Sequence, residues 1–132
     1  MILGIDYGTA KVGLALAEDR KGALTLPLSV IRFKDEGELE QALKDVAQEH
    51  NIEKIVIGLP GSMDTLEKLI SLLKKIFNIE PEFVSEYLST RAATRLIKEA
   101  GKDSFSIDEE DAIAASLILE TYLEKKYSAD NT

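Results

Sequence analysis

Residues 2 to 17, ILGIDYGTAKVGLALA, constrain the fold more than any other stretch of the chain. Ile2, Leu3 and Ile5 read as a buried strand, and Val12, Leu14 and Leu16 alternate with small residues as a second. Gly8-Thr9 supplies a tight connection, expected from glycine's tolerance of positive φ. Asp6 breaks the pattern, because it stands at the end of a strand that otherwise reads as core. A carboxylate there is unfavourable unless it is paired, hydrogen-bonded or bound to a metal. Three readings fit. Asp6 could anchor a divalent cation in a polynucleotide hydrolase. The Asp-x-Gly-Thr turn could instead cradle ATP phosphates through backbone N–H groups, as in sugar-kinase and actin-like proteins. Or Asp6 simply caps the turn.

The remaining elements follow in order. Glu18 to Gly22 form a charged turn, and LTLPLSVIRF (24–33) reads as a third antiparallel strand. Pro27 lacks an N–H and predicts an edge position or a bulge. Residues 35 to 50 change to helical period, with Leu39, Ala42, Leu43, Val46, Ala47 and His50 at helical spacing and His50 read as partly exposed near the helix end. EKIVIG (53–58) reads as a buried central strand ending in the Gly/Pro-rich GLPGSMD, where α/β proteins place ligands. Asp64 and Glu67 fit a cap and its partner equally well. A helix to about Phe77 follows, then a short strand around Phe83-Val84 that ends beside Glu86. Ser89 caps a predicted helix over 90–100 that Gly101 stops. Arg91, Arg95, Lys98 and Lys102 fall on one face of it, either as a solvated helix face or as a phosphate-contacting stripe. Residues 102 to 107 read as a loop, and Asp108 as a cap for a last helix opening with Asp108, Glu109, Glu110 and Asp111. Its small face, Ala112, Ala114 and Ala115, allows close approach to a sheet, so Asp111 can point back to the strand ends. Residues 1–127 are expected to form one domain, with 128–132 a polar C-terminal tail.

The order β-β-β-α-β-α-β-α-α predicts an α/β fold: a mixed five-stranded sheet, three strands antiparallel and two parallel, flanked by helices. The first strand would sit centrally. Asp6, Glu86 and Asp111 would then meet above its carboxyl end, and three carboxylates repel one another unless a cation lies among them. Hard oxygen ligands suit Mg²⁺ or Mn²⁺. Composition narrows the alternatives. The absence of Cys excludes disulfides and thiolate metal sites, and a lone His50 excludes His-rich zinc sites. No apolar run approaches the ~20 residues of a membrane span. The N-terminus enters a strand at once, leaving no room for a signal peptide, so a cytoplasmic location is expected. The formal net charge of −8 argues against broad, non-specific polyanion binding.

GIDYGTAKVGLALAE, IVIGLPGSMD, SEYLSTRAA and DAIAASLILETYL are spread over almost the whole chain. They resemble, in family order, segments of the YqgF-like family (also called RuvX), described as pre-16S rRNA nucleases and also proposed as Holliday-junction resolvases. The resemblance implies a ribonuclease H-like fold and catalytic, metal-binding acids at Asp6, Glu86 and Asp111. It implies Mg²⁺ or Mn²⁺ as cofactor, and trimming of the 5′ end of the 16S rRNA precursor in ribosome biogenesis. Lys11, Arg91, Arg95 and Lys98 would hold phosphates of a nucleic-acid partner, precursor rRNA or branched DNA, in a monomer or homodimer that could meet a pre-ribosomal particle. Ser85-Glu86-Tyr87 departs from the family's acid-Glu-Arg motif. Asp108, Glu109 and Glu110 replace its basic residues, and the loop after GLPGSMD lacks its Gly/Arg continuation. Each departure removes positive charge or a phosphate contact, which leaves a non-catalytic assembly factor as a further alternative.

Overall fold

Three antiparallel strands open the chain: β1 (Ile2–Tyr7), β2 (Lys11–Ala17) and β3 (Thr25–Arg32). The structure, a computed structural model, describes residues 1–8, 11–59, 66–85 and 107–128. Helix α1 (Glu36–Glu49) follows, capped by Asp35, whose carboxylate accepts the Glu38 N–H at 2.9 Å. Then come β4 (Lys54–Leu59), α2 (Leu66–Phe77), β5 (Glu82–Ser85) and α3 (Ile107–Ser128). Asn78, at φ 58°, ends α2 and donates its N–H to the Lys74 carbonyl at 2.9 Å; asparagine is among the few side chains that accept this left-handed conformation.

The sheet order is β3-β2-β1-β4-β5, so β1 is central as predicted. It pairs antiparallel with β2 and parallel with β4, and β4 pairs parallel with β5. Both answers to Pro27 hold at once. β3 is an edge strand, and the β2–β3 register shifts between Leu14 and Ala15, where Ala15 faces Pro27.

Alternation along the strands divides the core into two. Leu3, Ile5, Val12, Leu14, Ile55 and Ile57 pack against α1 and α2 on one face. Ile2, Ala15, Ala17, Val56 and Val84 pack against Ala115, Ile118, Leu119 and Leu123 of α3 on the other. A sheet covered on both faces explains why β1 and β4 read as continuous apolar runs.

Two local expectations are corrected. Helix α3 begins at Ile107, so Asp108 lies inside its first turn and is not the cap, and the helix extends through Ser128. Gly8 is outside the left-handed region. Its N–H donates to the Lys11 carbonyl at 2.9 Å, and a Cβ at Gly8 would come within 2.8 Å of that oxygen. Close approach, not positive φ, requires glycine there. The predicted helix over 90–100, its stop at Gly101 and the Asp64 cap lie outside the described residues.

Candidate active site

The carboxyl ends of the parallel strands β1, β4 and β5 share one edge of the sheet. β2 begins at that edge because it runs antiparallel to β1, and β3 finishes there because it runs antiparallel to β2. Asp6 stands here, next to last in β1 and half-buried. With Ile2 and Gly4 on the α3 face, period two puts Asp6 on that face too. Its cross-strand partner in β2 is Gly13. On the other side Ile5 pairs with Ile57, and continuing that register by one residue brings Asp6 level with Gly58. The carboxylate therefore has a glycine on each flank, which leaves lateral room for a ligand that large neighbours would fill. β1 is held by strands on both sides, so the position of Asp6 is rigid.

Helix α3 runs antiparallel to β1. Near its end, Lys126 and Tyr127 bond Asp19, which follows β2, and Tyr122 bonds Glu82 at the start of β5. Its middle lies over Gly4, where a Cβ would come within 2.6 Å of Leu119 Cγ and 2.9 Å of the Ala115 carbonyl oxygen. Asp111 is four residues before Ala115, a helical rise of about 6 Å, and Asp6 is two residues beyond Gly4, about 6–7 Å. The backbone at 111 and the backbone at Asp6 thus converge on one edge and one face. The Asp111 side chain is outside the described atoms. Glu86 directly follows Ser85, the last residue of β5, and lies outside the described residues, as do Arg91, Arg95 and Lys98. Lys11, half-buried, opens β2 at the same edge.

Among the described residues, no three of His, Cys, Asp and Glu cluster as a metal site; Asp6 is the one member of the expected trio whose side chain is described. The donor chemistry fits a hard divalent cation nonetheless: a half-buried carboxylate at a strand end, with glycines on both sides and an acid-rich helix start on the same face. His50 ends α1, half-exposed, in agreement with its reading as a helix-end residue.

Sequence reasoning missed two things. One is Gly4, whose missing side chain lets α3 settle on β1; a glycine inside an apolar strand pattern is the available signal for such an approach. The other lies at the opposite end of the sheet. Asp19 accepts from Lys54 at 2.9 Å, from Lys126 at 2.8 Å and from the Tyr127 hydroxyl at 2.8 Å. Burial alone would raise this carboxyl, but the bonds from Lys126, Lys54 and Tyr127 outweigh it and hold it well below the usual carboxylate range. These contacts join residues far apart in sequence, and no local pattern announces them.

A profile of the RuvX family, described as Holliday junction resolvase, matches residues 1–125. A relative from Rickettsia peacockii (strain Rustic) is 30% identical, covering 93% of this chain and 85% of its own length. One from Bacillus cytotoxicus is 31% identical, covering 95% and 98%. Both bear the name "Putative pre-16S rRNA nuclease". Among solved structures, Thermus thermophilus RuvC matches with a TM-score of 0.59 at 12% identity, over 96% of this chain and 95% of that one. Fowlpox virus resolvase, solved with Holliday junction DNA, matches with a TM-score of 0.60 at 13% identity, over 95% and 97%. Likeness at such low identity speaks to fold, and the fold is ribonuclease H-like, as expected. With the sheet, the central acid and a match from the first residue to 125, this chain belongs to the RuvX family.

Proposed function

We propose that this chain is a divalent-metal-dependent endonuclease that trims the 5′ end of the 16S rRNA precursor in the cytoplasm during ribosome biogenesis. The observation that carries the reading is Asp6, a half-buried carboxylate on the central strand, flanked by glycines and facing the approach of an acid-rich helix start. A strand-end acid in so rigid a place serves ligand binding better than folding. The relatives' name supports the substrate. Asp6, Glu86 and Asp111 would hold Mg²⁺ or Mn²⁺, with Asp6 as the shared ligand. Ions bound there supply an activated water and charge for the leaving oxygen. Asp6 contributes a fixed hard oxygen. Lys11, with Arg91, Arg95 and Lys98, would hold the flanking phosphates and align the scissile bond.

The test is Asp6→Asn, assayed on a precursor-rRNA duplex with Mg²⁺ or Mn²⁺ supplied. Cleavage should fall by more than the roughly 10–100-fold that loss of an outer-shell partner costs, with circular dichroism unchanged. Full activity in that variant overturns the reading. A protein that takes up metal but never cuts would instead be a non-catalytic assembly factor.

The second reading is cleavage of branched DNA. The family's description and the fold neighbour solved with its junction favour it. The same site would serve both substrates, so side-by-side cleavage of a four-way DNA junction and the precursor duplex decides between them. The match to the RuvX family over residues 1–125 supports the nuclease reading over an actin-like or sugar-kinase-like ATP site.

A further inference from the structure

Arg32 is the last residue of β3 and the cross-strand partner of Lys11. Both therefore stand at the carboxyl edge of the sheet. Their immediate neighbours, Val12 and Ile31, pack into the core on the α1–α2 side. Alternation then turns Lys11 and Arg32 to the other face, the one that carries Asp6. Lys11 is half-buried and Arg32 exposed. The order across the sheet at this edge is Asp6 on β1, then Gly13 and Lys11 on β2, then Val30 and Arg32 on β3. Strand spacing and rise put the Cα atoms of Lys11 and Arg32 roughly 8 Å and roughly 12 Å from that of Asp6, both beyond it along the strand direction. They form a cationic lip above the edge, running outward from Asp6 towards the open side of the sheet.

We infer that Lys11 and Arg32 together are a phosphate-binding ledge, and that the substrate strand leaves the cleavage site across β2 towards the β3 edge. The inference rests on the nuclease reading and adds a residue and a direction to it. Electrostatics explains why such a ledge is needed. Asp6 puts a carboxylate on this face, and the backbone at the start of α3 comes to the same edge, in a chain whose net charge is −8. A polyanion is repelled from such a surface until cations next to the carboxylate offset the repulsion. The described strand ends on the far side of β1 are Gly58-Leu59 of β4 and Val84-Ser85 of β5, with no cation among them. Lys68, near the start of α2, sits with the helices of the opposite face. Within the described sheet the positive charge at this edge is therefore one-sided. The planar guanidinium of Arg32 can hold two phosphate oxygens at once, whereas the Lys11 ammonium acts as a point charge. A competing role is simpler: charge on an edge strand discourages strand pairing between molecules. That role predicts a change in solubility and none in substrate affinity.

The experiment compares binding of a fluorescein-labelled precursor-rRNA duplex as salt is raised. An Asp6→Asn background keeps the probe uncut. Losing one phosphate contact lowers the slope of log affinity against log salt by about 0.7–0.9. Arg32→Gln should show that loss, Arg32→Lys should largely restore the slope, and Arg20→Gln should leave it unchanged. Arg20 pairs with exposed Glu18 at the opposite end of the sheet, so it reports general charge effects alone. In the unsubstituted-Asp6 protein, Arg32→Gln should raise KM several-fold and leave kcat nearly constant. An unaltered slope in Arg32→Gln overturns the ledge, and the nuclease reading then stands or falls on cleavage by the unmodified protein. Arg32-dependent binding without metal-dependent cleavage keeps the ledge and removes the nuclease. Absence of any salt-sensitive binding removes both.

Discussion

Two residues of β1, two positions apart, bear on the proposed site by opposite means. Asp6 contributes a charged side chain, and Gly4 contributes the lack of one. A methyl group at Gly4 would press on Leu119 Cγ and on the Ala115 carbonyl. The leucine can rotate, but the carbonyl belongs to the helix backbone and can move only with α3. Gly4→Ala is therefore expected to destabilise the protein by about 1–3 kcal/mol, the usual range for overpacking a tight interface. Urea unfolding measures this, and an unchanged midpoint would show that α3 does not sit so close. Because α3 also carries Asp111, cleavage in this variant should fall further than the loss of folded protein explains.

Helix α3 is the element on which both the fold and the proposed site depend. Unlike α1 and α2, which bury a narrow stripe, it buries Ala112, Ile113, Ala115, Ile118 and Leu119 over a broad arc against the sheet. Its far end is pinned by Asp19, which gathers Lys54 from β4 with Lys126 and Tyr127 from α3. Loss of these charge-assisted bonds in Asp19→Asn should cost about 1–2 kcal/mol at neutral pH, allowing for screening of the partly exposed lysines. The pH dependence has a definite sign. A carboxyl held below its unfolded value contributes its full stability above that value and loses it as pH falls through the folded one. The gap between parent and variant should thus stay constant from pH 7 to about 5 and close below about pH 4. A gap that widens on acidification would refute the ion pairing.

At the scale of the molecule, the proposed metal site would couple ion binding to stability. If Asp6, Glu86 and Asp111 share a cation, binding relieves their mutual repulsion and favours the folded state. Saturating Mn²⁺ at about a hundred times its dissociation constant should add about 2.7 kcal/mol to unfolding stability. Thermal melts with Mn²⁺, with Mg²⁺ and after chelation would measure it, and Asp6→Asn should lose most of the gain. Equal shifts in parent and variant would mean that the ions act by general screening. No helix among the described residues is long and apolar enough to cross a membrane.

The sequence by itself determined the order of the described strands and helices, the central place of β1 and the position of Asp6 as a charge in an apolar strand. All of these are local: apolar period, turn chemistry and a charge in an apolar run can be read from a few neighbouring residues. Even Pro27 announced its edge strand and bulge, because a missing N–H is a property of the residue alone. What only the tertiary structure decided is which residues share a face and an edge. The glycines beside Asp6, the seat of α3 on Gly4, the Asp19 clamp and the pairing of Arg32 with Lys11 all depend on strand register and helix placement. Those are settled by packing between segments distant along the chain, and a sequence pattern records each partner without recording that they meet.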